Sequence, residues 1–114
     1  MTTDELDCFF ASDLGAEVRR EYDLRVSHGV HATEATRDVL AIFRDLLTDP
    51  HDGPVVFIAI AALQLRQGSV LPFIRETALD LIQTGEARRA YASDNFDVTQ
   101  KRKLLLAAME KALE

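Results

Sequence analysis

The sequence has no tryptophan, one cysteine, three prolines and five glycines in 114 residues. A single thiol, Cys8, has no intramolecular partner. That excludes the disulfide framework of a small secreted domain and makes a reducing cytoplasmic location the expectation. The N-terminus MTTDELDCFF carries no basic region ahead of an apolar stretch, so no secretory signal is expected. Long hydrophobic runs are also missing. The longest, Gly53 to Leu63, has 11 residues, short of the roughly 18 that a membrane span requires. No linker or low-complexity tract appears between the scattered glycines and prolines. A single domain over residues 1–114 is therefore expected.

The chain does have apolar residues, 47% of the total, enough for a core without metal or disulfide staples. They concentrate in DGPVVFIAIAALQLRQG, Asp52 to Gly68. No strongly polar side chain interrupts this run before Gln64, so every face of the implied helix must be covered by neighbours. A strand reading of VVFIAI fails, because apolar character continues through AALQL at helical length in good helix formers. Gln64, near the end, is expected to be buried and hydrogen-bonded, and Arg66 to complement the helix C-terminus.

The remaining punctuation marks out further helices. Residues 1–14 are ambiguous, with Asp4, Glu5 and Asp7 suited to a helix start. A helix over about 16–28 places Val18, Tyr22 and Val26 on one face and stops at Gly29. One over about 32–48 carries the stripe Val39, Leu40, Phe43, Leu46 and Leu47. Asp52 is the expected cap of the next, with Gly53 and Pro54 in its first turn. A helix from Pro72 to Gly85 turns Phe73, Ile74, Ala78, Leu81 and Ile82 inward. EARRAYASD forms a short helix or two turns. Asp97 and Gln100 read as the capping box of a terminal helix, with Val98, Leu105, Ala108, Met109 and Ala112 on its inner face and Leu104 and Leu113 widening it. The expected fold is all-α: a compact bundle or orthogonal array of five to six helices around the central helix near 54–67.

Signs of catalysis are sparse. His28 and His31 flank Gly29, which is expected to end the helix between them. Cys8 and His51 are the only other soft ligands. H-E-x-x-H, E-x-x-H and paired cysteines are all missing. Cys8 would meet a histidine only through a tertiary coincidence. No enzyme activity, cofactor or metal is expected.

Charge is unevenly distributed. Residues 1–57 hold 12 acids against 5 arginines, a net of −7, and residues 58–114 hold 7 acids against 8 bases, a net of +1. The acidic half repels phosphate and membrane surfaces and suits a basic protein partner. Asp4, Glu5, Asp7, Asp13 and Glu17 are the candidate contact residues. The alternative is a nucleic-acid-associated regulator using Arg88, Arg89, Lys101, Arg102 and Lys103, close to Tyr91 and Phe96. The lack of a glycine turn ahead of a basic recognition helix weighs against nucleic acid. Leu104, Leu105, Leu106, Met109 and Leu113 exceed a narrow stripe, which predicts a homodimer with the 98–113 helix at its interface.

The run D-G-P-V-V-F-I-A-I-A-A-L-Q-L-R-Q-G followed by A-L-D-L-I resembles small uncharacterised bacterial helical proteins, some of them immunity-like or toxin-neighbour proteins. The resemblance covers residues 17–84, with Tyr22, Gly29, Ala35, Thr36, Asp52, Ala62, Gln64 and Gly68 in matching places. It implies a helical cytoplasmic protein and no established activity; the expected function is a small protein-interaction domain of the inhibitor or immunity-like kind. One helical pass is also similar to a tetratricopeptide hairpin. A solenoid needs about three such repeats, so no superhelix is expected.

Overall fold

A computed structural model describes residues 1–114. It contains seven α-helices and no strand: α1 (Thr3–Asp7), α2 (Asp13–Ser27), α3 (Ala32–Ile42), α4 (Asp52–Gln67), α5 (Pro72–Gln83), α6 (Glu86–Ala90) and α7 (Phe96–Leu113). Two 3-10 turns, Cys8–Phe10 and Arg44–Leu46, follow α1 and α3. The count exceeds the expected five to six because both short segments, α1 and α6, close into helices. The acidic start closes into α1 because Thr2 and Glu5 form a reciprocal capping box, with N···O distances of 3.1 and 2.8 Å. EARRA closes into α6 after Gly85, whose left-handed backbone (φ +84°) ends α5.

α4 lies at the centre. From Gly53 to Gln64 every residue except Phe57 is buried. α1, α2, α5 and α6 all pack against it. Small side chains at Ala59, Ala61 and Ala62 let these neighbours approach, while Val56, Ile58 and Ile60 fill the space between them. The N-terminal 3-10 turn packs equally closely on α2: a Cβ at Gly15 would lie 2.5 Å from the Phe9 carbonyl oxygen.

Some boundaries differ from the sequence expectation. α2 begins at Asp13 rather than 16, because the Gly15 amide donates to Ser12 Oγ at 3.0 Å. α3 stops at Ile42, and Arg44–Leu46 tightens into a 3-10 turn. The cause is the close approach of the start of α4: a Cβ at Gly53 would overlap the Leu47 carbonyl oxygen. Asp52 does not cap α4. Asp49 Oδ1 instead accepts from the amides of His51 and Asp52, both at 2.8 Å. Asn95 rather than Asp97 caps α7, its Oδ1 accepting from the Val98 amide at 3.1 Å.

Four side chains expected to face inward face solvent, Ala112 among them. Phe73 is 57% exposed, resting edge-on against the half-buried Phe57 at 6.3 Å between ring centroids, because the buried stripe of α5 runs through Ile74 and Ala78. Leu104 is 72% exposed and Val98 is 36% exposed. The inner face of α7 is Leu105, Leu106, Met109 and Leu113, so Leu106 is a core residue and unavailable to a dimer interface.

Buried polar groups tie the core together. Gln64 Nε2 donates to Thr36 Oγ1 at 2.9 Å, and Gln64 Oε1 accepts from the Leu71 amide at 2.9 Å. Thr36 in turn donates to the Ala32 carbonyl at 2.7 Å. Gln64 therefore links α4 to α3 and to the loop before α5. Beside it, the fully buried Tyr22 donates from its hydroxyl to Gln67 Oε1 at 3.3 Å.

Candidate functional site

Two charged surfaces and one partly open cavity are the features able to recognise another molecule. The acidic surface is built at the starts of α1 and α2, where acids complement free amides and the helix dipole. Asp4 lies exposed and Glu5 half-exposed in the first turn of α1, and Asp13 and Glu17 lie exposed on α2. Hydrogen bonds from the Thr2 backbone and hydroxyl hold the Glu5 carboxyl below its ordinary range.

Asp7 is placed differently. It is half-buried, with Arg66 Nη1 at 3.5 Å and Arg19 Nη1 at 3.9 Å from Oδ1. Neither contact has hydrogen-bond geometry. These charges nonetheless neutralise Asp7 and clip the end of α1 to α2 and α4. Arg66 thus faces an acid as well as the C-terminal end of α4. Asp4, Glu5, Asp13 and Glu17 take part in no ion pair and present their charge outward.

The basic residues are also free of ion pairs, since every ion pair lies between residues 7 and 66. Arg88 and Arg89 are exposed on α6, and Lys101 and Lys103 on α7. Arg88 and Lys103 converge on a cleft of about 320 Å³ between the end of α5 and α7, which Glu110 also lines. The guanidinium groups of Arg88 and Arg89 both lie near Gly85, at the carbonyl end of α5. Lys101 does not line the cleft. Arg102 is half-buried and turned elsewhere, its Nη1 donating to the Tyr91 carbonyl at 3.1 Å.

The cavity was not legible in the sequence. It has a volume of about 200 Å³ and gathers Cys8, Ser12, His51, Asp52, Tyr91 and Arg102 from remote segments, with apolar walls from Leu14 and Val55. Cys8 and His51 thus line one cavity. The Cys8 thiol is directed to the Asp4 carbonyl at 3.8 Å, and no three His, Cys, Asp or Glu side chains are grouped to hold a metal ion. Burial pushes the Tyr91 phenol well above its ordinary range, partly opposed by the nearby Arg102 charge. No sequence signal links these positions, because the cavity exists only once the Cys8–Phe10 turn and α2, α4, α6 and α7 have packed.

No known protein family, curated protein or solved structure matches the chain.

Proposed function

We propose that this protein is a small cytoplasmic protein-interaction domain of the inhibitor or immunity type, whose α1–α2 surface meets a basic protein partner. The observation that carries this reading is the set of exposed acids without ion pairs, Asp4, Asp13 and Glu17, at or near the starts of α1 and α2, with the half-exposed Glu5 next to Asp4. Their charge is not spent on internal pairs, so it is available to steer association with a positive surface. Asp7 serves as an internal anchor beneath them. The bacterial immunity-like resemblance of residues 17–84 points to the same class of function.

The test is an association measurement. Partners captured from lysate are identified, purified and followed with the protein carrying Asp4→Asn, Asp13→Asn and Glu17→Gln. The expected outcome is a roughly tenfold or larger fall in association rate and a flatter dependence on salt. Unchanged rates for every captured partner would refute the acidic surface.

A second reading rests on a separate observation, the convergence of Arg88 and Lys103 on one cleft with Arg89 beside them. A nucleic-acid-associated regulator would use these bases, with Lys101 and Arg102 nearby. Its mark would be a gel shift that weakens steeply with salt and disappears when Arg88 and Lys103 are neutralised.

A further inference from the structure

Helix α7 packs inward through Leu105, Leu106, Met109 and Leu113 and turns its opposite face to solvent. That outer face carries Leu104 at 72% exposure, with Phe96 at 73% on its edge, the two most exposed large apolar side chains in the chain. Asp97 and Lys111 flank Leu104 on the same face, because residues seven apart on a helix drift by only about 20°. Both are exposed. Neither has an ion-pair partner within the chain, since every ion pair lies between residues 7 and 66.

Leu104 therefore sits midway between one acid and one base, and this face is complementary to itself in one orientation. Two copies of α7 packed antiparallel about Leu104 set Asp97 opposite the partner's Lys111, and the two-fold axis repeats that pair at the other end. A parallel arrangement would set Asp97 against its own copy and Lys111 against its own copy, which like charges oppose. The antiparallel register also places Gln100 and Lys101 opposite the partner's Ala107 and Ala108, small residues that let the two helices approach. Phe96, beside Asp97, then meets the aliphatic stem of the partner's Lys111.

We propose that the protein forms a two-fold antiparallel homodimer through this outer face of α7, with Leu104 at the axis and an Asp97–Lys111 ion pair at each end. The interface is separate from the acidic surface on α1 and α2: Asp4, Asp13 and Glu17 take no part in it, and each surface can fail without the other.

The test is a charge exchange followed by sedimentation equilibrium at micromolar concentration. Asp97→Lys sets two lysines against each other at both ends of the dimer, and Lys111→Asp sets two aspartates. Each variant alone is expected to dimerise at least about tenfold more weakly than the parent. An equimolar mixture of the two restores opposite charges at both ends and is expected to recover dimers, with masses approaching twice 12.7 kDa. Far-UV circular dichroism of each variant checks that the helices are kept. Cross-linking reads the register without a charge change at the helix ends. In a Cys8→Ala background, Leu104→Cys is expected to form a disulfide dimer readily under mild oxidation. Asp97→Cys is not, because its two copies would stand about 20 Å apart along the helix axis. A monomeric parent would overturn the proposal. So would a mixture that dimerises no better than the separate variants, or Leu104→Cys cross-linking no faster than Asp97→Cys.

Discussion

Helices α4 and α7 have similar lengths, 16 and 18 residues, and both are rich in apolar side chains. Their surroundings differ. α4 is enclosed on nearly every face, so the identity of each residue from Gly53 to Gln64 is constrained by a neighbour. α7 packs through one stripe, against α5 and α6, and leaves Phe96 and Leu104 to solvent. Apolar content alone therefore does not fix burial. A continuous apolar run leaves no choice of face, whereas the triple leucine of α7 divides into two core positions and one surface position.

The sharpest way to break the comparison is to place a charge at equivalent depth in one helix and at the surface of the other. Ala61→Asp introduces an unpaired carboxylate where the side chain has no exposure. Burying a charge without a partner costs several kcal/mol, so loss of the helical far-UV circular dichroism signal at 25 °C is expected. The same substitution at Leu104 is expected to leave the spectrum and the thermal midpoint essentially unchanged.

Within α7, Leu106→Ala and Leu104→Ala measure the division directly. Leu106 is 3% exposed, and truncating a buried leucine removes about 2–5 kcal/mol. Leu104→Ala is expected to fall within about 0.5 kcal/mol of the parent. Urea unfolding of the pair supplies both values, and equal losses would mean that the outer face of α7 is covered.

In α4, Gln64→Leu probes the one polar group held inside the helix cluster. It keeps the volume but leaves the Leu71 amide without its acceptor and removes the donor to Thr36. A loss of about 1–3 kcal/mol is expected. A variant as stable as the parent would show that Gln64 serves something other than the packing of α3, α4 and the loop before α5.

These contrasts also show how far sequence alone carries. The fold class and the burial of Gln64 were readable, because an unbroken apolar run of helical length has few solutions. The start of α7 was not: Asn95 and Asp97 are both good capping residues. The choice is fixed by a loop closure in which the Ser93 amide donates to Thr99 Oγ1 and that hydroxyl donates to the Ser93 carbonyl, each at 2.9 Å. The end of α3 was hidden for a similar reason, since Phe43, Leu46 and Leu47 continue its apolar pattern while Gly53 docks against Leu47. The exposed acids Asp4, Asp13 and Glu17 and the half-exposed Glu5 sit at or near helix starts that composition suggested. Asp7 could not be distinguished from them, because its partner Arg66 is brought in by another helix. The wall of the Tyr91 cavity comes from segments with no shared pattern.

The caps of α4 and α7 provide a pH test. Asp49, a charged cap, has its carboxyl held below the ordinary value of 3.8 by amide hydrogen bonds from Asp52 and His51. A depressed folded pKa means that its contribution is present above the unfolded value and is lost as pH falls through the folded one. Asn95 at α7 does not titrate. Acidification below about pH 4 is therefore expected to loosen the start of α4 before that of α7, read by amide hydrogen exchange at the two helix starts. In Asp49→Asn this difference should disappear, and a difference that persists would assign the acid sensitivity to another carboxyl.

The smallest effect on stability concerns the exposed side of α7 and whether a second copy covers it. Self-association through the 98–113 helix would now have to use Phe96, Val98 and Leu104, because Leu106 is committed to the core. Leu104→Glu separates the two roles of this helix: the inner stripe is untouched, so folding stability is expected to stay within about 0.5 kcal/mol of the parent, while any apolar contact between copies gains a charge to desolvate. Sedimentation equilibrium at micromolar concentration reads the outcome. If the parent associates, Leu104→Glu is expected to return the mass to 12.7 kDa. A parent already at that mass would rule out the dimer, and a dimer insensitive to Leu104→Glu would put its interface elsewhere. Either result would leave the contrast between the two helices intact, because it depends on what each helix buries within one chain.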